Sequence, residues 1–181
     1  MKPVMFVRLP LLALLSFLGQ RSVHAQVPDW QLREHIVHDT EGGQDVWRDD
    51  RITNIPDTTI CFIYVGRKQS GPLWLRLQVR YAGYRALYMS RIKFSKGDKS
   101  VEFTPAPDLL HHGNNGMMQW EWYDSTPGEN EVKVILAIIA EPGVKLTMIG
   151  RERTLERELS DTERIAMANM VEQARVLGRV R

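Results

Sequence analysis

Alternating hydrophobic and polar positions mark the clearest strand of the chain, over residues 73–80. A period of two indicates a β-strand that buries one face and exposes the other. The aliphatic face is Leu73, Leu75, Leu77 and Val79, and the opposite face is Trp74, Arg76, Gln78 and Arg80. The second face, which carries two arginines, is therefore predicted to point outward.

Further short strands are predicted around this one, because β-branched and aromatic runs alternate with turn residues. Residues 81–84 are interpreted as a tight turn, so that residues 87–94 would return as the second strand of a hairpin. The other predicted strands are residues 58–65, 100–104, 117–123 and 144–150, and residues 105–116 are interpreted as a loop. Short strands joined by turns are typical of an antiparallel meander.

The C-terminal segment has the pattern of a helix. Ser160 and Glu163 have the spacing of a capping box, in which each side chain accepts a hydrogen bond from the other residue's backbone N–H. The residues that follow at helical spacing form one apolar face: Met167, Met170, Val171, Ala174 and Leu177. This face is predicted to pack on the sheet rather than to bind a partner, with Gly178 as the C-cap.

Residues 131–140 fit two structures. Their apolar residues follow a helical stripe, whereas their β-branched content also suits a buried strand. A helix is favoured, because residues 141–143 (Glu-Pro-Gly) would end it and Asn130 could cap it. The whole pattern predicts an α+β fold: an antiparallel sheet of about five to seven strands, in a meander or a sandwich, with a packed C-terminal helix and a second helix here.

The first 25 residues have the organisation of a signal peptide. Lys2 and Arg8 give a positive start, residues 9–18 are mostly apolar, and residues 23–25 (Val-His-Ala) resemble a signal-peptidase site. An apolar stretch of about ten residues is too short to cross a bilayer about 30 Å thick as a helix. We expect removal of residues 1–25, no transmembrane segment in the mature chain, and a periplasmic or secreted location. The alternative is an uncleaved N-terminal anchor.

Residues 26–57 are polar and rich in Asp, Gly and Pro. They are interpreted as an irregular acidic arm, with at most one short strand at residues 31–37. Residues 58–181 are then expected to form a single α+β domain.

Charge balance excludes one class of partner. The chain has 24 basic and 22 acidic residues, and removal of residues 1–25, which hold three basic and no acidic residues, leaves 21 and 22. A mature chain with this balance lacks the positive excess that is typical of nucleic-acid-binding proteins. No nucleic-acid partner is expected.

The charges are nevertheless segregated along the chain. Residues 66–99 hold nine basic residues and one acidic residue, between the acidic segments 26–58 and 100–143. The predicted hairpin could present these groups to a carboxylate, a phosphate or an acidic glycan, with aromatic rings stacked on the ligand. The candidate ligand-binding residues are Trp74, Arg76, Arg80, Arg91 and Lys93. Alternatively, the acidic segments fold over this block and neutralise it.

The sequence supports a catalytic function less strongly than ligand binding. The histidines that could bind a metal are His35, His38, His111 and His112, but their spacing matches no zinc-binding motif. No nucleophile motif such as G-x-S-x-G is present, and no cofactor is expected. The single cysteine, Cys61, lies in a β-branched run and is predicted to be a buried thiol; an intermolecular disulfide or a nucleophile is the alternative.

These observations favour an exported, non-catalytic protein of the bacterial cell envelope that binds an anionic component or a protein partner. One alternative is a small exported hydrolase or metal-dependent enzyme. Another is an accessory subunit whose Met/Trp strand, at residues 117–123, pairs with another protein.

Overall fold

The computed structural model describes residues 34–53, 58–69 and 71–179. The expected signal peptide and the first part of the expected acidic arm lie outside the described residues. Among the residues within these ranges, no helix is both long enough and apolar enough to cross a membrane.

The described residues form ten strands and three α-helices. The strands are β1 (Ile36–Glu41), β2 (Gln44–Asp49), β3 (Ile60–Lys68), β4 (Trp74–Gly83), β5 (Met89–Lys96), β6 (Lys99–Phe103), β7 (Leu110–Asn114), β8 (Gln119–Ser125), β9 (Lys145–Gly150) and β10 (Thr154–Glu158). The helices are α1 (Asp50–Thr53), α2 (Glu129–Ile139) and α3 (Asp161–Arg179), and a 3₁₀ turn covers Pro107–Leu109.

The strands form two antiparallel sheets. The larger sheet has six strands in the order β1-β2-β3-β4-β8-β7, and the smaller has four in the order β10-β9-β5-β6. Helix α3 packs on β3 and β2 of the larger sheet, and α2 packs on β5 and β6 of the smaller sheet.

One hydrophobic core joins the two sheets and the two long helices. Leu77 of the larger sheet, Ile92 and Leu146 of the smaller sheet, Ile138 of α2 and Met167 of α3 are all 0% exposed. The aliphatic residues of the predicted alternating strand thus point into this core, as expected from their period of two. The opposite set of β4 residues faces away from it.

The α+β class is confirmed, and so are both predicted helices. The ambiguous segment at 131–140 lies in α2, although Gly128 rather than Asn130 is its N-cap, and Glu131 accepts the Gly128 N–H at 2.6 Å. The capping box of α3 is present: the Ser160 N–H donates to Glu163 at 2.9 Å, and the Glu163 N–H donates to the Ser160 hydroxyl at 3.2 Å. Helix α3 continues to Arg179, so Gly178 lies inside it.

The predicted hairpin over residues 73–94 is wrong. Strand β4 pairs with β3 and β8, whereas β5 pairs with β6 and β9 in the other sheet. The pairing of β5 with β9 also shifts between Met89 and Arg91. Buried positions therefore change parity along β5, from Met89 before the shift to Ile92 and Phe94 after it. The β4–β5 connection carries the chain from one sheet to the other.

Residues 36–49 are not an irregular arm. They form the hairpin β1–β2, and Gly42 and Gly43 in its turn have φ values of +55° and +76°, as a type I′ turn requires. The expected loop at 105–116 contains β7, and β10 follows the last predicted strand. Both of these strands lie at sheet edges, where short polar strands give little alternation to detect.

Candidate functional site

The larger sheet has one face turned away from the core. Arg80 of β4 pairs with Ile60 of β3 and Trp122 of β8, and residues paired across antiparallel strands lie on the same side. We call this surface the outer face. It includes the odd-numbered residues 37–41 of β1, Val46 and Arg48 of β2, Ile60, Phe62 and Tyr64 of β3, the even-numbered residues 74–80 of β4 and 120–124 of β8, and His111 of β7.

A groove of about 500 Å³ crosses the outer face from β1 to β4. Val37, Ile52 and Phe62 line it with apolar side chains, and the rest of the lining consists of three carboxylates, two guanidinium groups and the amide of Gln78. Its volume lies in the range of about 300–1,000 Å³ that is typical of small-ligand sites. Charges of both signs mean that the groove offers hydrogen-bond donors and acceptors together.

Part of the groove is held by an ion pair. Arg48 donates two hydrogen bonds to the carboxylate of Glu41, at 2.6 and 2.9 Å, and its guanidinium carbon lies 5.6 Å from the ring centroid of Tyr64. These hydrogen bonds lower the pKa of Glu41 below its usual range. Near neutral pH, both groups are therefore charged and fixed in position.

Arg80 connects the groove to an aromatic surface. It lines the groove and is the direct strand neighbour of Trp122, whose ring stacks on His111 with centroids 5.4 Å apart and planes at 28°. The Arg80 Nε donates to the backbone carbonyl of Thr58 at 3.2 Å, which orients the guanidinium. A flat ring beside fixed hydrogen-bonding groups is suited to a ligand with one apolar face and polar edges.

A second network lies further along β4. Arg76 donates to the Asp124 carboxylate at 2.8 Å, and the Tyr64 hydroxyl donates to the same carboxylate at 2.7 Å. Burial, reinforced by Asp124, raises the pKa of Tyr64 well above its usual value. Trp74 meets Tyr64 edge-on, with ring centroids 5.7 Å apart. Arg76 is thus already paired with an acid.

The candidate ligand-binding residues do not form one surface. Trp74, Arg76 and Arg80 share the outer face, as the alternation of β4 predicts. Arg91 and Lys93 lie on β5, in the smaller sheet. The expectation that they extend the row of arginines is wrong, because it depended on the β4–β5 hairpin.

The acidic segments neutralise part of the basic block, as the alternative interpretation expected. Four basic side chains from residues 66–99 pair with acids from the flanking segments: Arg67 with Asp45, Arg76 with Asp124, Arg91 with Glu102 and Lys96 with Glu141. The sheet therefore does not present an unbroken cationic patch.

The four candidate metal-binding histidines are not brought together. His35 and His38 lie at the β1 edge of the larger sheet and contact Asp50 and Asp45, at 3.0 and 3.1 Å. His111 and His112 are consecutive residues of β7, at the opposite edge, so they project to opposite faces. Among the described residues, no group of three or more His, Cys, Asp or Glu side chains could hold a metal ion.

Cys61 is a buried thiol, as predicted. Its side chain is 0% exposed, and its sulfur lies 4.0 Å from the sulfur of Met167. Burial, reinforced by the nearby Glu163 carboxylate, raises the pKa of the thiol well above its usual value. Because the thiolate is the reactive form, this position does not suit a nucleophile.

The tryptophan-bearing strand is closed to a pairing partner. Strand β8, which carries Trp120 and Trp122, has β4 on one side and β7 on the other. The hypothesis that this strand pairs with another protein is therefore wrong, although its ring faces remain on the outer face.

The β1–β2 side of the groove is not predicted from the sequence, because the polar composition of residues 36–49 indicates irregular structure. The signal that could have revealed it is the Gly42-Gly43 pair between two segments of strand length. Asp39, Glu41 and Arg48 would then have joined the candidate site.

Comparisons with protein-family models, with curated proteins and with solved structures find no significant match.

Proposed function

We propose that the protein is an exported, non-catalytic binding protein of the cell envelope, and that it holds a saccharide chain on its outer face. The observation that supports this most strongly is the position of Arg80, between a groove with charges of both signs and the stacked Trp122 and His111. Export is proposed from the organisation of residues 1–25.

A saccharide suits this surface better than a simple anion. Sugar hydroxyls donate and accept hydrogen bonds, so they can use both the carboxylates and the guanidinium groups of the groove. The apolar face of a sugar ring can pack against the exposed part of the Trp122 ring. A phosphate or a lone carboxylate would instead meet three carboxylates in the same groove, at a cost in electrostatic repulsion.

Binding of the purified chain to a soluble neutral glucan and to a soluble polyuronate tests the proposal, since both offer hydroxyl-bearing rings and only the second is charged. We expect Arg80→Ala and Trp122→Ala each to weaken binding by about tenfold, as expected for central contacts. A role of Arg80 in binding a carboxylate would appear as salt-sensitive binding of the polyuronate alone.

Lys99→Ala is the matched control, because Lys99 is an exposed cation on β6 of the smaller sheet. It should bind like the unmodified chain. Equal affinity of all three variants, or no binding to either polysaccharide, would remove the proposal.

A further inference from the structure

A second feature lies at one end of the molecule, away from the groove. The pairing of Gly83 with Gln119 in the larger sheet, and of Met89 with Gly150 in the smaller one, brings three connecting segments close together. We call them the tip, which consists of residues 84–88, 115–118 and 151–153. Two contacts join the first and last segments directly, because the Arg151 N–H donates to the carbonyls of Leu87 and Tyr88 at 3.2 and 3.1 Å.

The tip exposes three large apolar or aromatic side chains. Tyr84 is 77% exposed, Met117 is 70% exposed and Tyr88 is 56% exposed, and these are the three most exposed large hydrophobic residues of the described chain. Single exposed hydrophobic residues are common on protein surfaces, whereas several at one end indicate a contact surface.

A buried carboxylate holds the first segment of the tip in shape. Glu121 is 1% exposed, and it accepts hydrogen bonds from three consecutive N–H groups: Leu87 at 2.5 Å, Tyr88 at 2.7 Å and Met89 at 2.6 Å. Tyr88 is kept at φ +55°, a left-handed conformation that bulky residues rarely adopt. Strained backbone of this kind is concentrated at functional positions.

The carbonyl groups of the same segment are also satisfied within the protein. The Arg85 carbonyl accepts from the Tyr81 hydroxyl at 2.7 Å and from the Arg153 guanidinium, which also reaches the Ala86 carbonyl at 3.3 Å. With the Arg151 contacts to Leu87 and Tyr88, four consecutive carbonyls have internal partners. Internal partners for these carbonyls lower the cost of moving the loop into a water-poor environment.

The charge of the tip indicates which kind of surface it contacts. Its charged residues are Arg85, Arg151 and Arg153 against Glu152, so it attracts an anionic surface. Tyrosine rings are enriched where the hydrocarbon and headgroup regions of a bilayer meet, and arginines near that level bind anionic lipids. A protein partner that pairs with backbone would gain more from open carbonyl groups, which residues 85–88 do not offer.

We propose that the tip docks on an anionic lipid surface, with Tyr84, Tyr88 and Met117 entering the headgroup region and the side chains of Arg85 and Arg151 contacting lipid phosphates. This proposal is independent of saccharide binding, because none of these residues lies on the outer face.

Co-sedimentation with vesicles tests this inference. The purified chain should bind vesicles of phosphatidylcholine with about one third phosphatidylglycerol, should bind pure phosphatidylcholine weakly, and should lose binding as salt rises. The triple variant Tyr84→Ser, Tyr88→Ser, Met117→Ser should bind the anionic vesicles about tenfold more weakly. The control Ile165→Ser, which alters an exposed residue of α3, should bind normally.

A labelled variant avoids dependence on how well the triple variant folds. Met117→Cys carrying an environment-sensitive dye should brighten with anionic vesicles, because the native Cys61 is buried and does not compete for the label. The same dye at Asp98→Cys, in the turn at the other end of β5, should not respond. Absence of vesicle binding, unchanged binding of the triple variant, or an equal response from the two labels would overturn the inference; the last two results would point to a different contact surface.

Discussion

Arg157 and Glu163 form an ion pair where the last helix meets both sheets. The guanidinium of Arg157, on β10, donates to the two carboxylate oxygens of Glu163 at 2.8 and 2.5 Å, and Glu163 also accepts the backbone N–H of Cys61 at 3.0 Å. The Glu163 side chain is only 7% exposed. One carboxylate thus connects β10 of the smaller sheet, helix α3 and β3 of the larger sheet.

Loss of this carboxylate should therefore destabilise the whole protein. We expect Glu163→Ala to lower the free energy of unfolding by about 3 kcal/mol, because Arg157 would be left as a largely buried, unpaired charge. Urea unfolding measures the change. Glu172→Ala is the control, since it removes an exposed pair with Arg175, and such pairs contribute about 0.5 kcal/mol or less. Similar losses in the two variants would contradict the structural role of Glu163.

The same carboxylate should make stability depend on pH. Burial would raise the pKa of Glu163, but hydrogen bonds and charge from Arg157, with the Ser160 and Cys61 N–H groups, outweigh burial and bring it below the ordinary value of 4.5. A folded-state pKa below the unfolded one gives stability that is present above the unfolded value and is lost as pH falls through the folded one. The difference in unfolding free energy between the unmodified chain and Glu163→Ala should be constant near neutral pH and shrink below pH 4.5. A difference that persists down to about pH 2 would show that the pKa is not lowered by pairing in the fold.

Glu121 should control the order of the β4–β5 connection. Glu121→Ala would leave three N–H groups without their acceptor, so we expect a loss of about 2–3 kcal/mol in the free energy of unfolding. Amide hydrogen exchange should accelerate at Leu87, Tyr88 and Met89, which donate to this carboxylate. The control Glu102→Ala, at an exposed position of β6, should leave these amides protected. Unchanged exchange in Glu121→Ala would mean that other contacts hold the loop.

The substitution Tyr88→Gly should make the protein more stable. Its φ of +55° is left-handed, which costs an L-residue about 1 kcal/mol and costs glycine almost nothing. We expect Tyr88→Gly to raise the free energy of unfolding by about 0.5 kcal/mol after the added chain entropy of the unfolded state is counted. Tyr84→Gly, outside the left-handed region, should give no gain. Thermal unfolding of the two variants measures the difference. A loss of stability in Tyr88→Gly would show that the contacts of the Tyr88 ring outweigh the backbone strain.

Local pattern was sufficient for several elements of the fold. The period of two in β4 predicts which residues face the core, since Leu77 and Val79 are 0% exposed. The spacing of Ser160 and Glu163 predicts the start of α3 to within one residue. Both patterns involve only residues that are close together in the sequence, so they can be identified without knowledge of the tertiary structure.

The pairing of β4 with β8 and of β5 with β9 could not be predicted in the same way. A short connection between two strands usually makes a hairpin, whereas here the connection donates three hydrogen bonds to Glu121, which lies more than 30 residues away in the sequence. The sequence of residues 84–88 gives no indication of the contact with Glu121. The incorrect hairpin prediction also affects the candidate site, because it places Arg91 and Lys93 beside Arg76 and Arg80.

The groove could not be predicted from the sequence for a related reason. Its lining combines β1, β2, α1, β3 and β4, so no single segment shows its character. Arg80 was identified from the alternation of β4, whereas Asp39 and Arg48 required the register of the β1–β2 hairpin.

The most direct test of saccharide binding on the outer face is the response of the tryptophan indole N–H signals in NMR spectra during titration with a bound polysaccharide. Trp122 and Trp120 lie on the outer face, whereas Trp47 is 8% exposed and belongs to the core. The signals can be assigned by replacing each tryptophan with phenylalanine. We predict that the Trp122 signal shifts progressively with added polysaccharide while the Trp47 signal stays in place. Binding that moves Trp47, or that leaves Trp122 unmoved, would contradict the assignment of the site.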